Sequence, residues 1–326
     1  MWRRSHHGSF RMSGRMRGFT LIEMLVAMAV MVTILFLVFS VITQATNVWK
    51  RSSNKLEAFK SARAGFDLVT RNLSQATLNS YLDYDSATSP TRYMRKSELK
   101  FFIGPTGVSG VPGTPNCGQA VFFQAPLGYT LNSANTGSLD ALLNTCGYYI
   151  DFTTNSSIPG HVSSSANPYR YRLMQLLVPI ENNTIYTASG NAWFNGVATK
   201  AVPVADNIIA MIIRPQDPAS SPADLTSNST YDSTLNASNS TQPITAHQLP
   251  PVVQVTVVAI DEVSAARLIQ GSTPPGAIAS ALAGKFSAAS LYDKDLSDLE
   301  GALLSSGIDC RIFPSAVPIR ESKWTK

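Results

Sequence analysis

Charge is scarce in this 326-residue chain. Charged residues make up 14% of it and apolar residues 44%, a balance poor in charge for a soluble cytosolic protein. Cysteine is rarer still. Cys117, Cys146 and Cys310 are the three present, with no CxxC or Cys/His spacing of the kind that holds zinc. Of the four histidines, His6 and His7 lie near the start, and none sits in a GxSxG or HExxH context. A Gly-rich phosphate loop is also missing. These absences remove the common hydrolase, metalloprotease and nucleotide-binding readings, and no enzyme is expected. Lysine and acidic residues are absent from residues 1–18, which instead hold Arg3, Arg4, Arg11, Arg15 and Arg17. Without those five arginines, 21 of the 26 basic residues remain against 21 acidic ones. The net charge of +5 therefore belongs to the first 18 residues. The inference from a basic protein to a nucleic-acid partner loses its support.

Past the arginines the chain turns almost wholly apolar. Phe19 to Ile42 is a run of 24 residues, about 36 Å long as a helix. That crosses a hydrocarbon core of roughly 30 Å. Arginines ahead of it predict a cytoplasmic amino terminus and a single pass. A secretory signal ending at Thr43-Gln44-Ala45 is the first alternative, but its apolar region would be too long. A plain uncleaved anchor is the second. Proline is absent from Thr43 until Pro90, and Phe59, Ala62, Phe66, Val69, Leu73 and Ala76 recur at helical spacing. The pattern predicts a helix over 19–82, membrane-spanning at 19–42, with Gly65 as a candidate bend.

Beyond residue 82 the texture changes to short β-branched and aromatic runs between Gly, Pro, Ser and Asn clusters. Strands are predicted at Leu99–Ile103, Ala120–Gln124, Tyr148–Phe152, Tyr169–Val178, Ile208–Arg214 and Val252–Ile260. Helices are predicted at Val263–Gln270 and Lys294–Leu304, and Ile312–Ile319 reads as a last extended segment. Tyr81–Asp85 reads as a polar helix exit. The stretch 216–248 is dense in Ser, Thr, Asn and Pro and reads as a flexible insertion. The fold class is α+β, a long helix followed by a β-rich domain over 83–326.

An ionised carboxylate inside an apolar run is costly and usually has a partner. Glu23 is such a carboxylate, in Gly18-Phe19-Thr20-Leu21-Ile22-Glu23-Met24-Leu25. With the arginine leader before it, this stretch resembles the processing site of type IV prepilins and type II secretion pseudopilins. The resemblance implies a structural subunit with residues 1–18 as its leader. A prepilin peptidase would cut after Gly18 and methylate the new amino terminus at Phe19. Glu23 would neutralise the terminal ammonium of a neighbouring subunit. Thr20, Leu21, Ile22, Met24 and Leu25 would supply the surface on which other pilin-like subunits pack. The resemblance places the chain in a bacterial inner membrane with its β-rich domain in the periplasm, and later in a filament. Leu56–Leu82 together with Leu249-Pro250-Pro251-Val252-Val253 resembles the larger minor pseudopilin, the J component. The closing segment Cys310–Phe313 with Val317–Arg320 looks more like the Verru_Chthon cassette prepilin-like proteins of Verrucomicrobia.

Other candidates carry less. Outside the cytoplasm disulfides can form, and Cys117–Cys146 is one pairing, with three buried thiols as the alternative. Asp293, Asp295 and Asp298, with Glu300, resemble part of a calcium loop but lack its glycine. A solvated helix start is the competing reading, and no cofactor is otherwise expected. The alternative function is a membrane-anchored periplasmic binding module that captures a secreted substrate, DNA or a surface.

Overall fold

The computed structural model describes residues 20–155, 167–269 and 271–325. Two compact units divide at Ser52/Ser53. Helix α1 (Leu21–Leu73) contributes residues to both and stops short of the expected residue 82. Tyr81–Tyr84, read as a helix exit, is instead strand β1, which pairs antiparallel with β2 (Tyr93–Lys96).

In the second unit come β3 (Phe102–Pro105), β4 (Gln119–Pro126), β5 (Leu143–Thr153), β6 (Arg170–Val178), the short α2 (Ala192–Asn195), β7 (Val202–Asp206), β8 (Ile208–Gln216), β9 (Tyr231–Asp232), β10 (Val252–Ile260), α3 (Glu262–Leu268), α4 (Gly276–Leu282), α5 (Tyr292–Ser305) and β11 (Cys310–Pro318). Six strands form one antiparallel sheet in the order β7-β6-β5-β4-β3-β9, and three form another in the order β11-β10-β8. Strand β8 contacts β4, β5 and β6, which brings the two sheets together.

The stripe read along the helix is what the second unit buries. Ala62, Phe66, Val69, Leu73 and Ala76 are all buried in the core. Gly65 has a different role from the expected bend. A Cβ there would stand 2.9 Å from Ala205 Cβ and 3.2 Å from Leu173 Cδ2, so its missing side chain admits β6 and β7 close to the helix. On β10, Val253, Val255, Val257 and Ala259 share a face as the alternation predicts, and the other face is covered as well. There Thr256 is fully buried, its hydroxyl 2.7 Å from that of Tyr292 on α5. Pro314 and Pro318 fall on β11, an edge strand, where a missing N–H costs no ladder bond.

Within 216–248, several residues are tied to the rest of the domain by hydrogen bonds. Ser233 Oγ accepts from Phe101 N at 2.9 Å, Ser233 N donates to Phe101 O at 3.0 Å, and His247 N donates to Ser233 O at 2.7 Å. Tyr231, buried against Phe101, donates its hydroxyl to Gln248 O at 2.8 Å. Hydrogen bonds from side-chain hydroxyls and amides hold this segment where apolar burial holds others.

Gly301 sits inside α5 with nothing within 4 Å of the place a Cβ would occupy. Gly301→Ala is therefore expected to stabilise the chain by about 0.5–1 kcal/mol through unfolded-state entropy. Thermal unfolding of the full chain in detergent should show a higher midpoint.

Candidate functional site

The described part of the amino-terminal unit, residues 20–52, is one unbroken helix after Thr20. From Leu21 to Lys50 it is long and apolar enough to cross a membrane, and none of that surface is buried. Leu21, Ile22, Met24 and Leu25 are 84%, 69%, 58% and 62% exposed. Stable burial of such a surface requires lipid or other helices, since an apolar face this long is costly in water. The few hydroxyls along it are satisfied within the helix: Thr33, Thr43 and Thr46 donate to the carbonyls of Ala29, Phe39 and Ile42 at 2.5, 2.7 and 2.8 Å. Polar groups that bond back to their own helix are compatible with a hydrocarbon surround.

Thr20 begins the helix. Its carbonyl accepts the first helical bond, from Met24 N at 3.2 Å, which makes it the N-cap. Its own N–H and its hydroxyl both donate to Glu23 Oε2 at 2.9 Å, and Glu23 N donates back to Thr20 Oγ1 at 3.4 Å. This is a capping box. Thr20, expected among the packing residues, also grips the carboxylate. The Thr-x-x-Glu spacing is the sequence signal for it. One oxygen of Glu23 is thus held at the helix start, next to the place where residue 19 joins. Negative charge there also suits the positive end of the helix dipole. Gly18 and Phe19 lie outside the described residues.

The remaining candidates do not converge. Cys117, Cys146 and Cys310 are free thiols. The pairing considered for Cys117 and Cys146 is not made: Cys146 lies on β5 opposite Phe123 of β4, while Cys117 precedes β4 and both thiols are buried. Burial instead pushes both thiols up to about 12, where they stay protonated and inert. Asp295 accepts Phe286 N at 2.8 Å, while Asp298 pairs with Lys294 at 2.6 Å and Lys285 at 3.6 Å. Among the described residues, no group of three or more His, Cys, Asp or Glu side chains is placed to hold a metal ion.

The family described as the prokaryotic N-terminal methylation motif matches residues 14–39. No curated protein and no solved structure matches the chain.

Proposed function

From a segment at residues 14–39 that is a type IV prepilin and pseudopilin signal, we propose that this chain is a precursor of a pilus or pseudopilus subunit. A prepilin peptidase cuts it between Gly18 and Phe19 and methylates the new amino terminus. The chain enters the inner membrane once, arginines inside, with its β-rich domain in the periplasm. It then leaves the bilayer for a filament by exchanging lipid for the helices of like subunits. In this reading it is structural and not an enzyme, and it needs no nucleic acid.

The observation that carries the reading is the Thr20–Glu23 box at the head of an unburied apolar helix. Glu23 is the one ionisable residue between Phe19 and Trp49. Its second oxygen, Oε1, takes no part in the Thr20 bonds. That oxygen is the natural partner for the ammonium that cleavage creates on a neighbouring subunit. Attraction between the two charges largely repays their desolvation. The pair therefore selects register, because a displaced subunit leaves both charges unpaired. Apolar packing by Leu21, Ile22, Met24 and Leu25 supplies contact area, with dispersion and close fit as its source.

Photo-crosslinkers at Met28, Leu35 and Ile42 test this against the lone-anchor alternative. Assembly predicts adducts with other subunits bearing the same amino-terminal motif. Adducts with lipid alone, in cells that build filaments, contradict it.

A further inference from the structure

The β1–β2 hairpin and residues 237–247 surround a cavity of about 490 Å³, lined by Tyr81, Asp85, Arg92, Arg95, Lys96 and His247 among others. Past residue 18 the chain carries equal numbers of basic and acidic side chains, so three cations lining one cavity are a local concentration. Their compensation is incomplete. Lys96 Nζ is paired with Asp83 at 2.7 Å. Arg92 Nη2 donates to Asn239 O at 2.8 Å, but its Nε is buried without a hydrogen bond and stands 3.8 Å from Asp85 Oδ2.

Asp85 is already engaged. It accepts the N–H groups of Ser86, Thr91 and Arg92 at 2.9, 2.9 and 3.4 Å, and the hydroxyl of Thr91. These bonds, the Thr91 hydroxyl foremost, hold its carboxyl down to about 2.

Arg95 is the uncompensated charge. Its Nε and Nη2 donate to Ala246 O at 3.2 Å and Pro243 O at 2.8 Å. Carbonyls accept hydrogen bonds but bring no negative charge, and among the described residues Arg95 has no ion-pair partner. Beside it His247 has a buried Nδ1 with no partner. Burial first, then the Arg95 charge, hold this imidazole toward its neutral form, while Glu98 and Asp232 pull the other way.

We propose that this cavity is a binding site for an oxyanion: a phosphate, sulfate or carboxylate group carried by a small polar molecule. The oxyanion would give Arg95 its missing counter-charge, beside the further positive charge of Arg92. Guanidinium groups suit such ligands because their planar donors match oxyanion geometry. The cavity exceeds the size of a bare oxyanion and leaves room for the group that bears it. The site is independent of how the helix assembles.

Equilibrium dialysis of the full chain in uncharged detergent against radiolabelled sulfate tests it, with chloride matching the ionic strength. One saturable site per chain is expected. Arg95→Gln should weaken it at least fivefold. That variant also loses the clasp on Pro243 and Ala246, so a second one is needed. Asp83→Asn frees Lys96 from its partner and should tighten sulfate at least threefold, a gain that misfolding does not mimic. No saturable uptake by the wild-type chain, or affinity unchanged in both variants, overturns the proposal.

Discussion

Glu23→Gln is expected to leave the chain inserted and processed but to cut its incorporation into filaments at least tenfold. The amide oxygen of glutamine can still accept Thr20 N–H, so the box that starts the helix survives. What disappears is the charge. In the proposed filament the ammonium of the adjoining subunit would then be left unpaired among apolar helices, where losing one partner of a buried pair costs about 3–5 kcal/mol. A tenfold loss corresponds to about 1.4 kcal/mol, so the prediction is conservative. Thr20→Ala provides the contrast: it keeps the charge and removes the hydroxyl contact, and should change assembly much less. Immunoblots of sheared filaments against the membrane fraction read both variants. If Glu23→Gln filaments match wild type, Glu23 serves only as a helix cap.

The second large effect lies in the β-rich domain. Gly118→Ala should destabilise it by at least about 3 kcal/mol, through backbone strain and a steric clash together. Gly118 has φ +88, and a Cβ on it would stand 2.1 Å from Met211 O. This is where the two sheets meet. Gly118 bridges to Met211 on β8, Met211 N donates to Cys117 O at 3.0 Å, and Gly118 O accepts Thr106 N at 3.1 Å. An alanine must push β8 away or flip its own peptide, and either movement breaks these bonds. Urea unfolding followed by near-UV circular dichroism measures the loss. Gly301→Ala, moving the opposite way, shows that the effect belongs to the position and not to glycine replacement in general. An equal midpoint for Gly118→Ala and wild type would mean that the sheets do not meet through this residue.

Features encoded by short-range pattern are legible in the sequence. The apolar run, the stripe from Ala62 to Ala76 and the β-branched strand Val252–Ile260 each carry their signal within a few residues, and the fold has them where the pattern puts them. Features that depend on distant partners are not. Strand β1 has aromatic and charged residues on an exposed hairpin, and only its pairing with β2 makes it a strand. Tyr231 and Ser233 look like loop residues until Phe101 is beside them. Gly65 resembles a bend because Ala205 and Leu173, which it lets approach, are more than 100 positions away. At the candidate site the opposite holds. Thr20 and Glu23 are three residues apart, so the capping box is readable from spacing alone. An acid in an apolar run hides it, because such an acid draws attention to a partner elsewhere.

The central claim is that residues 1–18 are a leader whose removal creates the charge that Glu23 meets. Intact-mass and amino-terminal peptide analysis of the chain, extracted from cells with an active prepilin peptidase, tests it most directly. The account predicts a chain that begins at Phe19 and carries one added methyl group, and a Gly18→Val variant that keeps all 18 leader residues. A wild-type chain that still carries residues 1–18 would contradict it.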